Sequence, residues 1–108
     1  MANMTSSIDA VFAALSDPAR RLILETLGRR GARPAGDFGV VLPHLSQPAV
    51  SRHLKVLREA GLVTVRAEGA VRIYALSPTA LGAVVAWLVA LSAAPPGASA
   101  RGEPRLER

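Results

Sequence analysis

Between Ser46 and Tyr74 five basic side chains, Arg52, Lys55, Arg58, Arg66 and Arg72, stand against only two acidic ones, Glu59 and Glu68. The chemistry open to such a set is recognition of a polyanion, because guanidinium and ammonium groups pair with phosphate oxygens and with the edges of bases. On a wheel of about 100° per residue, Val50, Leu54 and Leu57 fall on one side of this segment, while Pro48, Ser51, Arg52, Lys55 and Glu59 fall opposite. One face is therefore apolar, and the other is polar and mostly basic. Arg66 and Arg72 lie further along and flank Glu68-Gly69-Ala70. Over the whole chain 13 Lys and Arg outweigh 8 Asp and Glu, for a net charge of +5, which favours the same class of partner.

Other chemistry finds few residues to carry it. The absence of cysteine removes disulfides, thiolate metal sites and thiol redox sensing together. For a metal held by other ligands only His44 and His53 are available, with Asp37 a distant third, so no metal or other cofactor is expected. No nucleophile–base constellation and no phosphate-binding loop is visible, which points away from an enzyme. The first residues lack a basic stretch followed by an apolar one, and no apolar run approaches the roughly 18 residues that cross a bilayer. A cytoplasmic protein without membrane attachment is the expectation.

The elements that must position the basic face can be read in order. Thr5, Ser6 and Ser7 offer caps for a first helix running to about Leu15, with Ile8, Val11, Phe12 and Leu15 at helical spacing. Asp17-Pro18 opens a second helix, because Asp accepts from free amides and Pro gives up an N–H that has no partner there. Leu22, Ile23, Leu24 and Leu27 supply its core face, and the stretch from Gly28 to Gly31 stops it. Pro34, Gly36, Gly39 and Pro43 interrupt the next segment, leaving room for a short helix over Ala35 to Leu42. Ser46 caps the clearest helix, which ends at Ala60-Gly61. Leu62 to Val65 and Val71 to Leu76 read as the two strands of a hairpin about Glu68-Gly69-Ala70. Ser77-Pro78 repeats the capping pair before a last helix to about Ser92 that carries no charge, and Ala94 to Arg108 reads as a disordered tail.

This order, with LSQPAVSRHLKVLREAGLV at Leu45 to Val63, resembles the ArsR-type winged helix-turn-helix repressors. VFAALSDPARRLILETL (Val11 to Leu27) is similar to that family's opening, and VRIYALSP (Val71 to Pro78) to its second wing strand. The resemblance implies a mainly α fold with a small β-hairpin, residues 1–93 forming one DNA-binding and dimerisation domain and 94–108 the tail. It further implies a homodimer on a palindromic double-stranded DNA operator, each subunit placing its Ser46 to Ala60 helix in a major groove. Carried over, the DNA-contacting residues are Ser46, Gln47, Ser51, Arg52, His53 and Lys55, with Arg66, Arg72 and Tyr74 on the wing. His53 lies between the two faces of the wheel, so packing competes with contact to DNA. Of the neighbours Arg20 and Arg21 the resemblance suggests that one packs and the other meets a phosphate, without saying which.

The stretch from Ala80 to Leu91 is apolar all round, so a lone domain would leave one side of it in water. A twofold interface with its copy and the first helix is the economical cover, built from Ile8, Val11, Phe12, Leu81, Val84, Val85, Trp87, Leu88 and Leu91. Many ArsR-type relatives sense metals through cysteines near the third helix or through Asp, His and Glu on the last. Neither set is present, since there is no Cys and residues 77–100 hold no Asp, Glu or His. The remaining routes are control by abundance, by a small apolar ligand or by a protein partner. The competing class is a winged protein-interaction module, or a partner-dependent and metal-responsive co-regulator, using the same apolar helix.

Overall fold

A computed structural model describes residues 4–95. Five helices and three short strands come in the order α1 (Met4–Leu15), α2 (Pro18–Arg30), β1 (Arg33–Pro34), α3 (Asp37–Val41), α4 (Gln47–Glu59), β2 (Val63–Glu68), β3 (Val71–Leu76) and α5 (Pro78–Ser92). The tail expected over 94–108 falls, from residue 96 on, outside the described residues.

Local chemistry explains most of the boundaries. Asp17 Oδ1 accepts from the amides of Ala19 at 2.8 Å and Arg20 at 3.2 Å, which satisfies two of the free donors that open α2. Ser46 Oγ does the same for α4, accepting from Ala49 N at 3.2 Å. At the far end of α4, Leu62 N donates to Leu57 O and Gly61 N to Arg58 O, both at 3.0 Å, with Gly61 at φ +80°. That crossed pair is a Schellman cap, and it needs a left-handed residue, which glycine supplies without a Cβ clash. Gly69, at φ +63°, is the first of two residues linking Glu68 to Val71, the pattern of a type II′ turn.

Four expectations are corrected. The described part of α1 begins at Met4, so Thr5 to Ser7 lie in its first turn rather than before it. α3 spans only Asp37–Val41, shorter than Ala35 to Leu42, and its N-cap Gly36 has no side chain to offer. Ser77 makes no side-chain cap bond; its amide donates to Leu62 O at 2.9 Å, so the backbone holds the entrance to α5. The sheet has three strands in the order β1-β3-β2, all antiparallel, because Arg33 and Pro34 pair with Tyr74 and Ile73. Pro34 tolerates this because an edge strand need not donate on its outer side.

Val11 and Ala14 of α1, Ile23 and Leu27 of α2, Phe38 of α3 and Val50, Leu54 and Leu57 of α4 close the core with Leu62, Val63, Tyr74 and Val84. Ile23, Phe38 and Leu57 are fully buried, so α2 and α3 form the seat on which α4 rests.

Candidate nucleic-acid interface

The basic face is assembled from α4 and the β2–β3 hairpin. Burying Val50, Leu54 and Leu57 turns Gln47, Ser51, Arg52 and Lys55 outward, all of them exposed. Ser46 stands at the open end of α4 with its hydroxyl engaged as the cap, and the amides of the first turn point out beside it. Lys55 Nζ lies 4.0 Å from Glu59 Oε2, with both side chains about two-thirds in solvent, so this pair gives way readily.

On the hairpin Arg66 and Arg72 are both exposed. Arg66 is engaged with Glu68 two residues on: its Nε donates to Glu68 Oε2 at 3.1 Å and its Nη2 shares the same oxygen. Arg72 makes no ion pair with the described residues. Tyr74 departs from the wing grouping: it is only 8 % exposed, flanked in the sheet by Arg33 and Val65, and belongs to the core. The alternation of β3 turns Tyr74 inward.

His53 stands apart from the other helix residues. It is half-buried on the shoulder of the apolar stripe, and its Nδ1 lies 3.2 Å from Arg20 Nη1. Arg20 also donates from Nε to Ala14 O at 2.8 Å and from Nη2 to Ala13 O at 3.2 Å at the end of α1, where Ala13 O accepts from the amide and hydroxyl of Ser16 as well. Arg21 donates to Leu15 O at 2.7 Å and stays exposed, touching no residue of α4 by hydrogen bond. Two adjacent arginines of identical type cannot be told apart by composition; the α2 helix turns one inward and the other out. Beside them Asp17 is held below the usual carboxylate range. Burial pushes its carboxyl up, but the amides of Arg20 and Ala19 outweigh it, helped by the charge of Arg20 and by that of His53 whenever its ring is protonated.

An open pocket of about 350 Å³ lies between the start of α2 and the α3–α4 turn, lined by Asp17, Leu22, Leu42, His44, Leu45 and His53 among others. Among the described residues no three His, Asp or Glu side chains are grouped to hold a metal ion.

The second surface is apolar. Phe12 packs edge to face on Trp87 with ring centroids 5.8 Å apart, and both remain open to solvent at 39 % and 44 %. Beyond Val84 every residue of α5 is exposed, so Val85, Leu88, Val89 and Leu91 stand in solvent on all sides of the helix rather than on one face. Val11 and Val84, grouped with Val85, Leu88 and Leu91 from sequence, are instead buried inside the subunit, where α1 meets α5. Ile8 and Leu81 are half-buried at the margin. Among the described residues no helix is long and apolar enough to cross a membrane.

The family model described as a helix-turn-helix domain matches residues 15–66, from the end of α1 into β2. The chain is 46 % identical over 78 residues to the HTH-type transcriptional regulator Rv2034 of Mycobacterium tuberculosis, covering 72 % of this chain and 71 % of that one. It is 35 % identical over 79 residues to the transcriptional repressor SdpR of Bacillus subtilis, covering 73 % and 86 %. Among solved structures, an ArsR-like transcriptional regulator from Rhodococcus sp. RHA1 superposes with a TM-score of 0.72 at 32 % identity, over 82 % of each chain. A capped helix with a basic outer face, a basic hairpin beside it and this set of relatives together place the chain in the ArsR family of winged helix-turn-helix DNA-binding transcriptional regulators.

Proposed function

We propose that the protein is a homodimeric repressor that binds a palindromic operator through α4 and the β2–β3 wing. The observation that carries this reading is the outward face of α4: Gln47, Ser51, Arg52 and Lys55 are free for a major groove while the opposite face is committed to the core. Arg66 and Arg72 stand near the tip of the hairpin on opposite faces of the ribbon, so that the wing presents a cation to phosphates or to the adjoining minor groove. Specificity comes from base contacts by Gln47, Ser51, Arg52 and Lys55, and the amides at the start of α4 bind phosphate. The protein works by binding rather than catalysis, and its site of action is the cytoplasm, where the operator lies.

Dimerisation is supported by the exposed apolar side chains Phe12, Val85, Trp87, Leu88, Val89 and Leu91 gathered on one helix and its neighbour, a concentration that calls for cover. A twofold axis through this surface would present two α4 helices about one helical turn apart on DNA. The same surface favours a second reading, a module that engages another protein through α5.

The test is a mobility shift on duplexes enriched by the protein from a random library and on the DNA flanking its own gene. Binding that discriminates between sequences and weakens steeply with salt is expected, because phosphate contacts release counterions. Equal affinity for every duplex defeats the repressor reading, and a monomer in sedimentation that assembles only with a foreign chain favours the second.

A further inference from the structure

We propose that Arg20 and His53 form a positioning pair that sets the roll of α4 relative to α1, and with it the discrimination between operator sequences. The inference rests on the DNA-binding reading and concerns how accurately that surface is aimed.

The packing of α4 leaves this task open. Val50, Leu54 and Leu57 hold the helix at its depth on the core, but apolar contact has little directional preference. A helix with side chains is about 10–12 Å across, so a roll of roughly 10° moves a side-chain tip by about 1 Å. Displacements of that size are enough to spoil a paired hydrogen bond to a base. Among the described residues the Arg20–His53 bond is the one side-chain hydrogen bond joining α4 to another element.

Its geometry suits a pin. The guanidinium is planar with its donors in a fixed fork. Nε and Nη2 are bonded to Ala14 O and Ala13 O at the end of α1, so the direction of Nη1 is set before it meets α4. Arginine has no acceptor, so His53 Nδ1 accepts and the ring proton sits on Nε2. The bond is partly buried, where water competes less for either partner. His53 lies at the boundary between the buried stripe and the reading face, where a lateral tie resists rolling most effectively. Because α1 also carries Phe12 and its contact with Trp87, the pair connects the aim of α4 to the apolar surface that would relate two subunits.

The experiment measures dissociation constants for two duplexes at one salt concentration, a sequence enriched by the wild-type protein and its scrambled version. His53→Leu removes the acceptor at similar bulk; His53→Asn keeps an acceptor near the position of Nδ1. His53→Leu is expected to lower the ratio of the two constants about tenfold, the loss of one base contact. His53→Asn restores most of the ratio. Arg21→Ala, which removes the same charge next door, weakens both duplexes alike.

An unchanged ratio in folded His53→Leu overturns the proposal, as does a ratio in His53→Asn as low as in His53→Leu, which would assign the effect to ring packing. Nitrogen-15 NMR of the folded wild-type protein tests the pair without any substitution: a proton on Nδ1 overturns it. Failure of the wild-type protein to enrich any duplex defeats the DNA reading itself and is distinguishable from these results.

Discussion

Glu68 is expected to restrain the wing, and its removal should strengthen DNA binding. Arg66 reaches Glu68 Oε2 with two of its nitrogens, while the two side chains are 60 % and 56 % exposed. An exposed pair of this kind contributes about 0.2–1 kcal/mol, which is what Arg66 gives up on turning to a phosphate. Glu68→Gln is therefore predicted to raise affinity roughly 1.4- to 5-fold at low salt, using about 1.4 kcal/mol per factor of ten. Losing a negative charge near the duplex also helps by long-range attraction, whether or not Arg66 is present. A double-mutant cycle separates the two effects. In an Arg66→Ala background the gain from Glu68→Gln should shrink to that long-range part, and added salt should remove the remainder. Titrations by fluorescence anisotropy on one duplex, at two salt concentrations, are sufficient. No gain from Glu68→Gln, or the same gain with and without Arg66, would refute the restraint.

Other expectations are as direct. Arg52→Ala is expected to weaken binding to an enriched duplex by about 1–3 kcal/mol while the melting temperature holds, because the side chain is exposed and unpaired among the described residues; loss of folding would show that the faces of α4 are misassigned. Leu88→Glu places a charge on the exposed part of α5 and should give a folded monomer in sedimentation, whereas a persistent dimer would move the interface elsewhere. Asp17 has a lowered carboxyl pKa in the folded chain, so its contribution to stability is complete above the ordinary aspartate value of about 3.9 and fades as pH falls through the lower folded value. Thermal melts should show a steeper acid-side loss for the wild type than for Asp17→Asn, which keeps a capping oxygen without the charge; parallel curves would remove the carboxylate from the account. Ser46→Ala should cost about 1 kcal/mol of stability by freeing the amide of Ala49, and a melting temperature that does not move would argue against the cap.

The α4 helix and its basic outer face were legible before any fold was known because their signals are local. Ser46, the apolar spacing of Val50, Leu54 and Leu57, and Gly61 each act within a few residues, so the exposed set on α4 comes directly from the wheel. Asp17-Pro18 and Gly69 are legible for the same reason. β1 had no such signal: two residues are too short to show alternation, and Arg33 and Pro34 are extended only because β3 offers them partners.

The apolar surface shows the division most clearly. α5 is apolar on every side, so its sequence demands cover without saying which side faces inward. Packing against α1 covers only the first turns of α5, drawing Val11 and Val84 into the subunit and leaving Phe12 and the rest of α5 from Val85 on outside. Tyr74 joined the core and Arg20 was set apart from Arg21 in the same way, by contacts with residues distant along the chain. Sequence alone determined α2, α4, the turn of the hairpin and the basic outer face of α4, because caps, glycines and periodicity act locally. Tertiary structure decided how much of a uniformly apolar helix is covered and which of two like arginines turns inward, because only the position of a neighbour distinguishes them.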